Sequence, residues 1–213
     1  MQTDNRPRRD GTRAPYPDAT ARDILFDRDG TLIEDRHYLS DPAQVTLLPG
    51  VAQALRRLVL AECRLFVVSN QSGVGRGYFS LESAQACNAR LAQLLAAHGV
   101  HFTDMLICPH GPEDGCACRK PQTGMWDALR ARHGLHAAYA AMIGDKGDDV
   151  RFGRAAGLRT ILVMSGKGRY HAAALGLPLP DTGVWTPKAP PPPDQPHAVA
   201  ADLAAAVDFL GYP

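Results

Sequence analysis

Two aspartates stand two residues apart in the segment Asp27–Thr31 (DRDGT), directly after the apolar run Ile24–Phe26. Short apolar runs are typical of buried parallel strands, and α/β folds place their ligand sites just beyond the carboxyl ends of such strands. Carboxylates at a strand end can hold a hard cation, and one of them can serve as a nucleophile. Asp, Gly and Thr also suit turns and helix starts, so a capped turn is the alternative interpretation of the segment alone.

Polar side chains follow three further apolar runs of the sequence. They are Ser69–Gly73 (SNQSG) after the second run, Lys120 in the loop after the third, and Asp145–Asp149 (DKGDD) after the fourth. Because the carboxyl ends of parallel strands meet at one edge of a sheet, we expect these groups to lie together. Hydroxyl, amide and ammonium donors beside a carboxylate cluster match a phosphoryl group held next to Mg²⁺.

This chemistry predicts a role for each polar group. Asp27 attacks phosphorus and becomes an aspartyl phosphate, while Asp29 first protonates the leaving oxygen and later activates water. Asp145 completes a Mg²⁺ site with Asp27 and Asp29. Phosphoryl transfer mainly needs alignment and charge neutralisation, so Ser69 and Lys120 are the expected stabilisers of the transferred group.

Two more aspartates follow the fourth strand, and both suit the first turn of a helix. We assign Asp149 to support of the metal site. Asp148 is assigned to helix capping or to solvent.

Three cysteines and one histidine crowd into the eleven residues 108–118. The four residues are Cys108, His110, Cys116 and Cys118. Three thiolates and one imidazole form a closed tetrahedral ligand set, which is the class used by structural Zn²⁺. Zinc at this position would fix the next two residues, Arg119 and Lys120, at the rim of the predicted site.

Composition excludes several classes of protein. The chain has 213 residues with 45% hydrophobic and 21% charged residues, as expected for a globular domain with a sizeable core. A formal net charge of +1 does not favour a nucleic-acid or membrane partner, and we expect a monomer. The odd number of cysteines, their clustering and the polar first residues favour a reducing cytoplasm over a disulfide framework. Cys63 and Cys87 are interpreted as core residues.

The elements that must position these groups alternate between strands and helices. Strands are predicted at 24–27, 64–70, 105–107, 141–144 and 160–163. Helices are predicted at 80–98, 125–132 and 149–156, with helical spacing of apolar residues also at 51–59. This alternation predicts an α/β fold with a mainly parallel sheet and helices on both faces.

The two ends of the chain differ from the middle in amino-acid composition. Residues 1–22 are polar and Arg-rich and are predicted to be a disordered leader, and residues 23–213 form one domain. Within it, residues 183–197 are rich in proline and are interpreted as a semi-rigid connector rather than a peptide read by a partner. Residues 198–210 are expected to return to the same domain as a short strand and a final helix.

Four of these motifs, in this order, resemble those of haloacid dehalogenase superfamily phosphatases. They are DRDGT at 27–31, SNQ at 69–71, Lys120 and GDKGDD at 144–149. The resemblance covers roughly residues 24–166. It implies a Rossmann-like, doubly wound sheet without a large cap domain, Mg²⁺ at its carboxyl edge, and the nucleophile and acid/base roles assigned above.

The cysteine-rich loop resembles that of the zinc-containing branch of this superfamily. This resemblance implies removal of the 7-phosphate of D-glycero-D-manno-heptose 1,7-bisphosphate, a step in nucleotide-heptose synthesis for the lipopolysaccharide core. Histidinol phosphate is the alternative substrate, and a phospho-accepting regulatory domain or a catalytically silent zinc module are alternatives of another class. The residues matched to substrate contacts are Asp35, Tyr38, Asn70, Gln71, Ser72, Arg119 and Lys146.

Overall fold

The strands of the protein form one seven-stranded sheet. The computed structural model describes residues 21–212. The strands are β1 (Asp23–Phe26), β2 (Arg64–Asn70), β3 (Asp104–Cys108), β4 (Ala140–Gly144), β5 (Arg159–Val163), β6 (Val184–Trp185) and β7 (Ala198–Ala200). Their order in the sheet is β3-β2-β1-β4-β5-β7-β6. All neighbours pair in parallel except β6 and β7, which are antiparallel, so the predicted mainly parallel sheet is confirmed.

Helices lie in the connections between the strands. They are α1 (Val51–Leu60), α2 (Ser72–Gly75), α3 (Leu81–Ala96), α4 (Gly124–His133), α5 (Gly147–Ala155), α6 (Gly168–Ala174) and α7 (Leu203–Phe209). Single 3₁₀ turns occur at Pro42–Gln44 and Ala137–Tyr139. No helix among residues 21–212 is long and apolar enough to cross a membrane.

Both faces of the sheet are buried, which explains why the strands read as continuous apolar runs. In β1, Ile24 and Phe26 belong to a cluster that includes α1, α3 and α7. Leu25, between them, belongs to a second cluster with residues of α4 and α5. Because side chains alternate along a strand, this burial on both faces requires helices on both sides of the sheet.

Local signals place several helix ends where the sequence predicts them. The Ser80 hydroxyl accepts a hydrogen bond from the backbone N–H of Ser83 at 3.2 Å and caps α3. Helix α4 ends at Gly134, which has a φ of 64°. The short helices α2 and α6 escaped prediction, because one turn or two of helix carry little apolar periodicity.

The two ends of the described chain differ from the predictions in detail. Residues 1–20 of the predicted leader lie outside the described residues, whereas Ala21 is buried and the Arg22 backbone N–H donates to the carbonyl of Tyr139 at 2.7 Å. Residues 183–197 contain the edge strand β6 rather than only an extended connector. Strand β7 and helix α7 then add to the same sheet and core.

Candidate active site

A cavity of about 300 Å³ opens at the carboxyl edge of the sheet, where β1, β2 and β4 end. Its wall contains most of the site residues predicted from the sequence: Asp27, Asp29, Asp35, Tyr38, Asn70, Gln71, Ser72, Arg119, Lys120, Lys146 and Asp149. Ser69 and Asp145 do not line the cavity. Both are buried directly behind its wall.

The buried carboxylate of Asp27 lies between two ammonium groups. Lys120 Nζ donates to its Oδ1 at 2.7 Å, and Lys146 Nζ donates to its Oδ2 at 3.1 Å. Burial alone would favour the protonated acid, but the charges and hydrogen bonds of the two lysines outweigh it and hold the pKa of Asp27 well below its usual range. Asp27 is therefore an ionised and oriented carboxylate, as a nucleophile must be.

Lys120 is fixed by contacts to both its backbone and its side chain. The Asn70 side chain accepts from the Lys120 N–H and donates to the Lys120 carbonyl, both at 3.0 Å. Lys120 Nζ also donates to the carbonyl of Val68 at 2.7 Å. The amide of Asn70 thus holds a neighbouring residue in place, and the predicted contact of Asn70 with substrate stays a prediction.

The carboxylate of Asp149 is the second anionic partner of Lys120, in addition to Asp27. Its Oδ1 forms a buried ion pair with Lys120 Nζ at 2.7 Å. Its Oδ2 accepts from the backbone N–H of Lys146 at 3.0 Å at the start of α5. Asp148, in contrast, is half-buried at the cavity wall and forms an ion pair with Arg151 at 2.5 Å.

The side chain and the backbone of Asp29 point to different partners. Its carboxylate accepts hydrogen bonds from Arg28 and Gln71. Its backbone carbonyl, however, accepts from Lys146 Nζ at 2.7 Å. The prediction named Asp29 as a metal ligand without naming an atom, and its carbonyl oxygen is the atom that shares Lys146 Nζ with the carboxylates of Asp27 and Asp145.

The oxygens around Lys146 Nζ form a set that fits a hard cation. Carboxylate oxygens of Asp27, Asp145 and Asp149 all lie within 4.8 Å of one another. Lys146 Nζ contacts Asp145 Oδ1 at 3.2 Å in addition to its contacts with Asp27 and Asp29. Oxygen atoms from several separate segments are the donors that Mg²⁺ prefers, so the residues present fit this ion.

Asp145 is the most crowded of these carboxylates. Burial and the nearby carboxylates of Asp27 and Asp149 raise its pKa to about 7, although Lys146 acts in the opposite direction. Its Oδ2 accepts from the backbone N–H of Lys167 at 2.8 Å. A Cβ atom on Gly30, whose φ is 90°, would lie 2.2 Å from this same oxygen, which explains the glycine of the DRDGT motif.

The four predicted zinc ligands meet at one point of the loop between β3 and α4. Cys108 Sγ lies 3.6 Å from Cys116 Sγ and 3.1 Å from Cys118 Sγ, and His110 Nδ1 lies 3.3 Å from Cys118 Sγ. A zinc tetrahedron with Zn–S distances of about 2.3 Å has edges of about 3.7 Å, so the donor set fits Zn²⁺. The same loop brings Arg119 to the cavity, where its Nη1 donates to the His110 carbonyl at 3.2 Å.

Sequence reasoning missed one residue that lines the cavity and another that packs against its wall. Lys167 lines the cavity from the loop after β5 and lies 3.6 Å from Asp35. The position of Lys167 shortly after a strand end is the sequence feature that could have predicted its place at the site. Tyr78 stacks edge-to-face on Tyr38 with ring centroids 4.8 Å apart. Nothing in the local spacing of Tyr78 points to this contact.

A Rossmann-like sheet with a carboxylate and lysine cluster at its carboxyl edge defines the class of α/β phosphohydrolases. Comparison with known proteins narrows this class. The HAD-hydrolase-like family matches residues 117–206. D-glycero-beta-D-manno-heptose-1,7-bisphosphate 7-phosphatase of Bordetella bronchiseptica is 36% identical over 156 residues, which are 73% of this chain and 87% of that protein. The chain belongs to the haloacid dehalogenase-like hydrolases.

Two further comparisons bear on the branch of this family. The crystal structure of D,D-heptose 1,7-bisphosphate phosphatase from B. bronchiseptica, complexed with magnesium and phosphate, superposes with a TM-score of 0.76 at 33% identity. It covers 89% of this chain and 97% of that one. The histidine biosynthesis bifunctional protein HisB of Legionella pneumophila is 37% identical, but over only 61% of this chain and 38% of its own length.

Proposed function

We propose that the protein is a Mg²⁺-dependent phosphomonoesterase that removes the 7-phosphate of D-glycero-D-manno-heptose 1,7-bisphosphate. The observation that carries the chemistry is the buried, ionised Asp27, held at a strand end by Lys120 and Lys146 with Asp29 two residues away. The substrate is supported by the heptose bisphosphate phosphatases, which match over most of both chains.

In the first half of the reaction, an Asp27 oxygen attacks phosphorus and the bond to the sugar oxygen breaks. The sugar oxygen takes a proton from Asp29, which leaves an aspartyl phosphate and a free alcohol. In the second half, Asp29 accepts a proton from water as the water oxygen attacks phosphorus. The Asp27 carboxylate is then restored and inorganic phosphate leaves.

The remaining polar groups neutralise and align the transferred group. Asp27, Asp145 and the Asp29 carbonyl would hold Mg²⁺, with Asp149 supporting them. Bound Mg²⁺ supplies charge neutralisation for the phosphoryl oxygens. Lys120 stabilises the same oxygens with its positive charge. Hydrogen bonds to Asn70 and Val68 hold it in position for this role.

A bisphosphate substrate carries a second anion, and the rim of the cavity offers cations for it. Arg119 lies on one part of the rim and Lys167 on another. A guanidinium can bind a phosphate in a bidentate manner, so Arg119 is the proposed contact for the second phosphate. Ser72, at the start of α2, and Tyr38 complete the proposed sugar contacts.

Zn²⁺ is proposed to be the ion that fixes this rim. Ligation by Cys108, His110, Cys116 and Cys118 would hold the loop that carries Arg119 and Lys120. Zinc-bound thiolates require reduced cysteines, which supports the proposed cytoplasmic location.

Phosphate release from a panel of esters tests this proposal. The panel contains both anomers of heptose 1,7-bisphosphate, histidinol phosphate and simple hexose phosphates, each with Mg²⁺ and with a chelator. We expect fastest release from heptose 1,7-bisphosphate with Mg²⁺, and ³¹P NMR should show the 7-phosphate disappearing first. Asp27→Asn, purified in parallel, controls for contaminating phosphatases.

Two outcomes would contradict the proposal at different levels. Faster release from histidinol phosphate would overturn the substrate but keep the reaction class. Absence of release from every ester would overturn the enzymatic function. A stable aspartyl phosphate without turnover would instead favour the regulatory-domain alternative.

A further inference from the structure

Arg28 is a fully buried arginine that the proposed mechanism does not use. Its relative exposure is 0%, although it lies between the two aspartates of the DRDGT motif. A buried guanidinium is costly unless its donors are paired, so its partners indicate why it is retained.

The guanidinium of Arg28 binds the carboxylate of Asp29 through two parallel hydrogen bonds. Arg28 Nε donates to Asp29 Oδ2 and Arg28 Nη2 donates to Asp29 Oδ1, each at 3.1 Å. Such a bidentate pair sets both the position and the plane of the carboxylate. Rotation of Asp29 about its side-chain bonds would break both hydrogen bonds.

The two oxygens of Asp29 are not equivalent in this arrangement. Oδ2 also accepts from Gln71 Nε2 at 2.7 Å, so both of its in-plane lone pairs are used. Among the contacts of the described residues, Oδ1 accepts from Arg28 alone and keeps one lone pair. Oδ1 is therefore the oxygen that remains able to give and take a proton.

Arg28 is itself held by helix α3. Its Nη1 donates to Asn88 Oδ1 at 2.9 Å, with the carbonyl of Ala84 at 3.4 Å. Asn88 is 6% exposed and does not line the cavity. A buried asparagine in the middle of a helix is unfavourable by itself, and here it supplies the acceptor for a buried charge.

We propose that Arg28 and Asn88 are positioning residues, which orient Asp29 so that its Oδ1 exchanges the proton with the leaving oxygen and with water. The inference rests on the proposed function and deepens it. In the first half-reaction the phosphorus–oxygen bond to the leaving group breaks, and the proton on Oδ1 moves to that oxygen. In the second half-reaction Oδ1 takes one proton from the attacking water.

This role has a kinetic signature that depends on the leaving group. A sugar alkoxide is a poor leaving group and needs the proton from Asp29. A p-nitrophenolate departs without one, since it is a weak base. Misplacement of Asp29 should therefore slow cleavage of a sugar phosphate much more than cleavage of p-nitrophenyl phosphate.

Single-turnover cleavage with enzyme in excess tests this difference. Asn88→Leu keeps a similar volume and removes the acceptor, and Asn88→Asp keeps an oxygen at the same place. We expect Asn88→Leu to slow cleavage of heptose 1,7-bisphosphate by about 10–100-fold, a part of the 10²–10⁴-fold that a positioned acid contributes. Cleavage of p-nitrophenyl phosphate should change far less, and Asn88→Asp should restore most of the loss.

Leu91→Ala is the matched control, because Leu91 is a buried residue of α3 one turn further along and belongs to the apolar core. It should lose stability without changing the ratio of the two cleavage rates. If Asn88→Leu fails to fold, Arg28→Lys provides the same test, because it keeps the charge and loses the bidentate contact. In the metal-free protein, the Arg28 Nε–H should give a slowly exchanging NMR signal that Asn88→Leu loses.

Equal slowing of both esters, or no slowing of either, would overturn the positioning role. These outcomes differ from a failure of the proposed function, in which the wild-type protein would cleave no phosphate ester at all.

Discussion

The protein contains two clusters of side chains that could hold a metal ion, and they are assembled in opposite ways. The carboxylate cluster joins Asp27 to Asp145 and Asp149, which are more than one hundred residues away in the chain. The cysteine cluster is drawn from residues 108–118 alone. Closing a loop costs less entropy when it is short, and the second cluster needs only one residue of the sheet, Cys108 at the end of β3.

The clusters also differ in how their charge is balanced. In the carboxylate cluster, Lys120 and Lys146 already neutralise part of the negative charge. In the cysteine cluster, burial and the nearby Cys118 thiol raise the pKa of Cys108, and the ligand atoms contact one another. We conclude that the fold itself can hold the carboxylate cluster, whereas the cysteine cluster would depend on the proposed Zn²⁺.

The largest effect is expected from removal of the nucleophile. Asp27→Asn should lower turnover of heptose 1,7-bisphosphate by about 10⁵-fold or more, as loss of a covalent nucleophile does in other hydrolases. The folded structure should persist, since asparagine is nearly isosteric. Steady-state phosphate release and circular dichroism measure the two effects, and activity near the wild-type level would remove Asp27 from the mechanism.

Lys120 links the two clusters, because it follows Cys118 by two residues and its Nζ contacts Asp27 and Asp149. Lys120→Ala should lower kcat by about 100–1,000-fold, the usual effect of losing one transition-state donor. Lys188→Ala, at an exposed position of the Pro-rich segment, is the matched control and should leave kcat unchanged. A loss confined to KM would mean that Lys120 binds substrate without stabilising the transition state.

Removal of zinc should disorder the cysteine-rich loop and leave the sheet intact. We expect about one Zn²⁺ per chain. Cys116→Ser should lose the ion and lower kcat/KM by about 10–100-fold through disorder of the Arg119 loop. Far-UV circular dichroism should change little, because the sheet does not depend on this loop.

Cys63→Ser is the control for this experiment, since Cys63 is a buried cysteine outside the cluster. It should keep its zinc and its activity. Global unfolding of Cys116→Ser would contradict the contrast between a local cluster and an independent sheet.

The smallest effect is expected at the rim of the cavity. Tyr38 has a left-handed φ of 57° and packs against Tyr78, which is 60% exposed. Loss of an aromatic pair costs about 0.5–1.5 kcal/mol, so Tyr78→Ala should raise KM by about 2–12-fold and leave kcat nearly unchanged. Tyr170→Ala, at another exposed tyrosine, should change neither parameter.

Much of the fold follows from local pattern. Strand β2 has the bounds predicted from its apolar and β-branched residues, β4 and β5 begin one residue earlier than predicted, and β1 and β3 differ by one residue at both ends. The central strands β1, β2, β4 and β5 are buried on both faces, which makes their apolar runs continuous and easy to recognise. Strand β6 was missed because a two-residue edge strand carries no such pattern.

The site could be predicted by residue but not by atom. The polar residues at strand ends could be located because a parallel sheet brings its carboxyl ends to one edge. Which atom of each residue faces the centre depends on backbone direction and on competing partners. Asn70, whose amide binds the backbone of Lys120, and Asp29, whose carbonyl accepts from Lys146 Nζ, both show this.

Residue type and spacing were thus sufficient for the chemistry that DRDGT and the cysteine-rich loop can perform, because ligand preference and nucleophilicity are properties of side chains. The tertiary structure alone decided that Arg28 turns inward to α3 and fixes the Asp29 carboxylate, that Lys167 reaches the cavity, and that Tyr78 packs against Tyr38. Contacts of this kind join segments that are distant in the chain, and local spacing carries no information about which distant segment will be packed alongside.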